Sequence, residues 1–164
     1  MSGVTVCSLW NEKRMPTLKL DDFLPYRLSI ASNRVSSAIA TAYQALFGLK
    51  IAEWRLIAVI AEGEGLTQQA LGVRTQMDKV TVSRAAIALV ERGLVARRPN
   101  PDDQRSHLLS LTDAGQALYE NVAPKALELE GRVFAGFSAK EIVTFRAVLD
   151  RLEASAAALD PEGG

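Results

Sequence analysis

One cysteine, Cys7, and one histidine, His107, are all that the 164-residue sequence offers of the side chains that most often hold metals or do acid–base and nucleophilic work. A single thiol excludes an internal disulfide framework and fits a reducing compartment, so a cytoplasmic protein is expected. A single imidazole leaves no His/Cys cluster, and neither a metal nor another cofactor is expected. There is no run of about 18 apolar residues, so no membrane span is expected. The first residues lack a basic stretch followed by an apolar one, which argues against a secretion signal. Gly-rich phosphate loops and the G-x-S-x-G elbow are also missing. Asp102 and Asp103 are neighbours in a turn-forming stretch and cannot face each other as acid and base. An enzyme is not expected. The net charge is +0, from 19 bases and 19 acids.

What the chain does have is apolar content, 48%, enough for one compact domain with an extension. It also has a dense pattern between Thr67 and Thr112. Thr67 is a plausible N-cap for a short helix, Gln68 to Arg74, with Leu71 and Val73 turned inward. Gly72 suits a close crossing of two helices. Thr75, Gln76 and Met77 form a turn, with Met77 as its apolar plug. Asp78 caps a second helix that runs to about Arg92. Val82, Ala86, Leu89 and Val90 give it an inward stripe. Lys79, Thr81, Ser83 and Arg84 fall near its start, on the other side. Gly93 fits a left-handed stop. Two short strands follow, Leu94 to Arg98 and Ser106 to Leu111, with Leu109 and Leu111 inward. The connecting PNPDDQR is rich in turn formers. Helix, turn, helix and a ribbon with a charged tip is the layout of a winged helix-turn-helix, in which one helix enters the DNA major groove.

Charge is distributed to match. Residues 74–105 carry seven bases against four acids, and residues 113–164 carry five against nine. A neutral chain with a basic end can still turn one face to phosphates. Lys79, Thr81, Ser83 and Arg84 are assigned to base edges, and Thr67, Gln68 and Arg74 to phosphates. Arg105 is assigned to the minor groove, whose negative potential favours a guanidinium. Asp103 is expected to hold Arg105 in direction through a charge-assisted hydrogen bond. Arg92, Arg97 and Arg98 fit an ordinary solvated face.

The run MDKVTVSRAAIALVERGLVARRPNPDDQRSHLLSLTDAG resembles the MarR family of bacterial transcription regulators. The resemblance is carried by Thr81-Val82-Ser83-Arg84, by Glu91-Arg92-Gly93-Leu94-Val95, and by Asp103, Arg105, Leu109 and Leu111-Thr112. It extends in helix order from about Asp21 to Leu159. Gly72 departs from the alanine often found there. The fold class implied is mainly α with a small β wing, a winged helix-turn-helix flanked by dimerisation helices.

Around the reading head, residues 1–20 lack a period and read as a flexible tail, with Met15 an alternative start. Residues 21–47 read as a first dimerisation helix with Leu24, Leu28, Ala31, Val35, Ala38 or Ile39, Ala42 and Leu46 on one side. The DNA-binding region takes 48–112, opening with a helix from Ala52 to Glu62 whose Leu56, Ile57 and Ile60 point inward. Residues 113–159 hold two further helices, the first capped by Thr112 and bent at Pro124, the second opened by a Ser138–Glu141 capping box. A tail, 160–164, follows. These amphipathic helices exceed what one reading head can cover, so a homodimer on a roughly palindromic operator in double-stranded DNA is expected. The resemblance implies the same, and adds that a small aromatic acid or related compound shifts the dimer away from its DNA-ready form, as expected of a ligand-relieved repressor. Tyr26, Arg27, Arg34, Phe47 and Trp54 are the candidate ligand contacts. Two rivals stand beside this reading: a winged-helix module that binds protein, and a redox-sensing regulator acting through Cys7.

Overall fold

The structure, a computed structural model, describes residues 17–63 and 65–159. Cys7 and Met15 lie outside the described residues. The elements run α1 (Leu24–Phe47), α2 (Ile51–Ala61), β1 (Leu66–Thr67), α3 (Gln68–Thr75), α4 (Lys79–Glu91), β2 (Val95–Pro99), β3 (His107–Leu111), α5 (Asp113–Val133) and α6 (Ala139–Ala157). The protein is mainly helical with a small antiparallel sheet in the order β1-β3-β2.

The chain divides into two units within α1, residues 1–34 and 35–164. In the first, a 3-10 turn at Leu20–Asp22 precedes α1, which starts three residues later than the periodicity suggests. Pro25 sits in the first turn, where no intrahelical amide is required. The Arg27 guanidinium donates to the Asp21 carbonyl at 3.0 Å.

The second unit holds the core. Leu56, Ile57 and Ile60 of α2, Leu71 of α3, Val82, Ala86 and Leu89 of α4, Leu109 of β3 and Val122 of α5 are all buried. The helix stops follow backbone handedness. Gly48 and Gly93 take φ of +60° and +68°, a region closed to most side chains by the clash of Cβ with the backbone. At the start of α5, the Thr112 hydroxyl accepts from the Gly115 N–H at 3.0 Å and donates to the Gly93 carbonyl at 2.7 Å. Ser138 and Glu141 form the expected capping box of α6.

Several expectations are corrected. Only Leu71 of the expected pair in α3 is buried; Val73 is 59% exposed. In α4, Val90 is exposed and Ala85 is buried in its place, because the face that meets α2, α3 and β2 is centred nearer Val82, Ala85 and Leu89. The wing has a third strand: Leu66 pairs with Leu109 and Thr67 with Leu108. Two residues are too few to show a period of two. Arg92 is not simply solvated. Its Nη1 meets Oε2 of the buried Glu53 at 3.2 Å and the Gly48 carbonyl at 3.3 Å.

Glycine matters unequally here. A Cβ on Gly115 would collide with the carbonyl oxygen of Leu94, part of the backbone leaving α4, whereas one on Gly72 would meet the Met77 carbonyl oxygen at 3.4 Å, an ordinary contact. Gly115→Ala should therefore lower the unfolding free energy by about 2 kcal/mol or more. Gly72→Ala, inside a helix, should be neutral or stabilise by up to about 1 kcal/mol. Urea denaturation of both variants checks the opposite signs.

Candidate nucleic-acid interface

The reading head is assembled by caps. The Thr67 hydroxyl accepts from the Ala70 N–H at 3.1 Å and starts α3. Gln76 then reverses the chain in the left-handed region, φ 52°, its side chain donating to the Val73 carbonyl at 2.8 Å. Met77 packs on the core as expected of the plug. Asp78 starts α4: Oδ1 accepts from the Thr81 N–H at 2.9 Å and Oδ2 from the Thr81 hydroxyl at 2.6 Å. The Thr81 hydroxyl, followed by its N–H, holds the Asp78 carboxyl below its usual range.

The expected DNA residues fall into different situations. Lys79 and Arg84 are exposed on α4, and Ser83 is half-buried. Thr81 is half-buried, and its hydroxyl proton is committed to Asp78. Arg74 pairs with Glu62 at 2.7 Å, so a phosphate at Arg74 must share the guanidinium with that carboxylate. Both side chains are largely exposed, and such a surface pair holds only weakly.

The wing turn is braced by its own polar groups. Asn100 Nδ2 donates to Ser106 Oγ at 2.9 Å, and Asn100 Oδ1 accepts from the Asp102 N–H at 3.1 Å. Asp103 corrects an expectation: its carboxylate accepts from the backbone N–H of Arg105 at 3.0 Å, and no pairing with the guanidinium is found among the described residues. Asp103 sets the turn's backbone and leaves the arginine head free to reach outward.

A groove of about 450 Å³ lies between the first turn of α3 and the wing, with Thr67, Gln68, Arg97, Arg105 and His107 among its lining. Thr67, Gln68 and Arg105 of the expected set thus come together. Arg97 and His107 were not expected there. Arg97 Nη2 is 3.2 Å from His107 Nδ1, and since a guanidinium can only donate, that nitrogen accepts. The ribbon register accounts for the meeting. With Pro99 opposite His107, Arg97 sits a single diagonal step from the histidine on the ribbon.

The expected ligand contacts divide between the two units. Tyr26, Arg27 and Arg34 are exposed on the first part of α1. In the second unit, Phe47 packs against the core, and Trp54 stacks on Tyr119 at 5.8 Å and meets Tyr43 edge-on at 5.6 Å. A ligand ring stacking where Tyr119 lies would have to displace it. Burial pushes the Tyr43 phenol up, so it stays protonated at neutral pH. Among the described residues no group of His, Cys, Asp and Glu is arranged for a metal. No described helix is long and apolar enough to cross a membrane.

Known proteins share the fold. The MarR family profile matches residues 47–106. A probable transcriptional regulator from Pseudomonas aeruginosa is 34% identical, with 82% of this chain and 99% of that chain covered and a TM-score of 0.72. A MarR family regulator from Silicibacter pomeroyi is 31% identical, with 84% and 92% covered and a TM-score of 0.70. CouR from Rhodococcus jostii RHA1, solved bound to p-coumaroyl-CoA, is 25% identical, with 83% and 95% covered and a TM-score of 0.72. Matches to curated relatives are shorter, spanning 65% and 56% of two regulators from Bacillus subtilis.

The Asp78 cap generates a pH prediction. Its folded pKa lies below the ordinary value of 3.8, so its contribution is complete above that range and lost as pH falls through the lowered value. Asp78→Ala should lower Tm at pH 7, with the gap from the native protein closing below about pH 4. Thermal melts across that range check it; a gap independent of pH would remove the charge from the account.

Proposed function

Because this chain belongs to the MarR family of transcription regulators, we propose that it binds operator DNA as a two-fold dimer and releases it when a small aromatic acid or related compound binds. The observation that carries the reading is the pairing of two free cationic elements on one reading head. Helix α4 buries Val82, Ala85, Ala86 and Leu89 and leaves Lys79 and Arg84 to solvent. The braced wing turn leaves the Arg105 guanidinium uncommitted. A helix start of this kind addresses base edges in the major groove, and an arginine at a loop tip addresses a narrow minor groove. Thr67, Gln68 and Arg97, around the groove between α3 and the wing, suit phosphate oxygens. Arg74 joins them by exchanging Glu62 for a phosphate.

The dimer is supported by apolar side chains left exposed among the described residues. Leu24 and Leu46 of α1 are 78% and 55% exposed, Leu127 of α5 is 67%, and Val143 and Val148 of α6 are 68% and 49%. Rows of this kind mark association surfaces. In a two-fold dimer, two α4 helices meet half-sites one helical turn apart, which requires a roughly palindromic operator. The effector class is supported by CouR, whose bound ligand carries an aromatic acyl group. Release follows if the ligand prefers a spacing of the two reading heads that does not fit the groove.

Arg105→Ala should weaken binding to DNA from upstream of the protein's own gene at least about tenfold, the loss of one desolvated charge-assisted contact, and leave the oligomer unchanged. Fluorescence anisotropy at fixed salt and sedimentation of the variant are the measurements. Equal affinity would remove the wing from the interface, and no selective binding by the native protein would favour a protein-binding winged helix.

A further inference from the structure

Helix α4 carries an apolar side chain that its packing does not use. Val80 is 56% exposed, in the first turn, between Lys79 and Thr81. The buried face consists of Val82, Ala85, Ala86 and Leu89. At about 100° per residue, Val80 lies about 40° from Arg84 and about 20° from Ile87 on the other side of the helix. Ile87 is 51% exposed. The outward stripe of α4 is therefore Val80, Arg84 and Ile87, with Ser83 at its edge. A β-branched residue there gains nothing from helix propensity, which ranks valine below most straight-chain residues. A bare valine flanked by Lys79 and Arg84 suits a polyanionic surface that presents an isolated methyl group.

We infer that Val80 is a specificity-determining residue that reads the 5-methyl group of thymine in the major groove, beside the base contacted by Arg84. The inference rests on the DNA-binding reading above. Among the base edges of that groove, the thymine methyl is the apolar feature, and guanine O6 and N7 suit an arginine fork. Four residues separate Val80 from Arg84, a rise of about 6 Å along the helix. That is roughly two base steps of about 3.4 Å. Each half-site should thus hold a thymine about two steps from a guanine. Thr81, whose hydroxyl proton serves Asp78, contributes less to base choice than its place in the sequence suggests.

The test begins by selecting duplexes from a random-sequence library with the full-length native protein. Each thymine of the enriched sequence is then replaced in turn by deoxyuridine, which lacks the methyl and pairs alike. Burial of one methyl group implies a loss of about fourfold per half-site at a single thymine position. Val80→Ala, which favours the helix, should lose about the same on the thymine duplex and be insensitive to deoxyuridine at that position alone. Native and variant proteins equally sensitive at every thymine, or a native protein indifferent to all of them, would overturn the assignment while leaving DNA reading intact. A library that yields no enriched sequence would overturn DNA reading itself, and this inference with it.

Discussion

A single buried carboxylate ties the reading head together. Glu53 is 5% exposed, and its Oε2 is shared between the Lys50 N–H that opens α2, at 3.0 Å, and Arg92 at the exit of α4, at 3.2 Å. Arg92 also reaches the Gly48 carbonyl where α1 ends. A carboxylate removed from water is costly unless its lone pairs are satisfied, so the arrangement tolerates little displacement of any partner. Two chain segments distant in sequence, the α1–α2 junction and the end of α4, are pinned by groups that need one another. The far end of α4 is where Lys79, Val80 and Arg84 project. Its aim is thus set at the opposite end of the helix, through a rod of 13 residues.

The two faces of α4 divide labour. Val82, Ala85, Ala86 and Leu89 are small or medium-sized, which lets α2 and α3 approach the helix. The outward residues contribute nothing to that packing and are free to suit a ligand. In the proposed regulator this separation allows operator preference to change without disturbing the fold. The apolar rows on α1, α5 and α6 stand apart from it, since they lie outside the core that holds the reading head.

Much of this could be read from the chain because the signals are local. Thr67, Asp78, Thr112 and Ser138 each cap within three residues, and Gly48 and Gly93 stop helices by handedness alone. The inward residues of α2 follow directly from period. What stayed hidden needs distance or a second face. The partners Glu53 and Arg92 are 39 residues apart, and Arg74 and Glu62 are 12 apart. No spacing rule connects them. In α3, eight residues give too short a stripe to separate Leu71 from Val73. In α4 an alanine, Ala85, took the core position that hydrophobicity alone gives to Val90. Reading by residue type also drew attention to the polar Thr81 near the helix start and not to Val80, whose exposure only the structure gives. The MarR resemblance was legible from the wing phrase, while the role of Asp103 depended on which nitrogen of Arg105 its carboxylate meets.

The cross-braced wing tip has a thermodynamic consequence. Asn100, Asp103 and Ser106 close the loop on itself through side-chain and backbone bonds. A loop ordered in advance does not have to surrender its backbone freedom on meeting a duplex, a loss of about 1–2 kcal/mol for each residue fixed. The remaining entropy to be lost is that of the arginine side chain, so more of the contact's attraction is expressed as affinity. In the proposed regulator, encounter would then resemble the seating of a stiff probe, with the width of the minor groove, more than the pliancy of the protein, deciding where it fits.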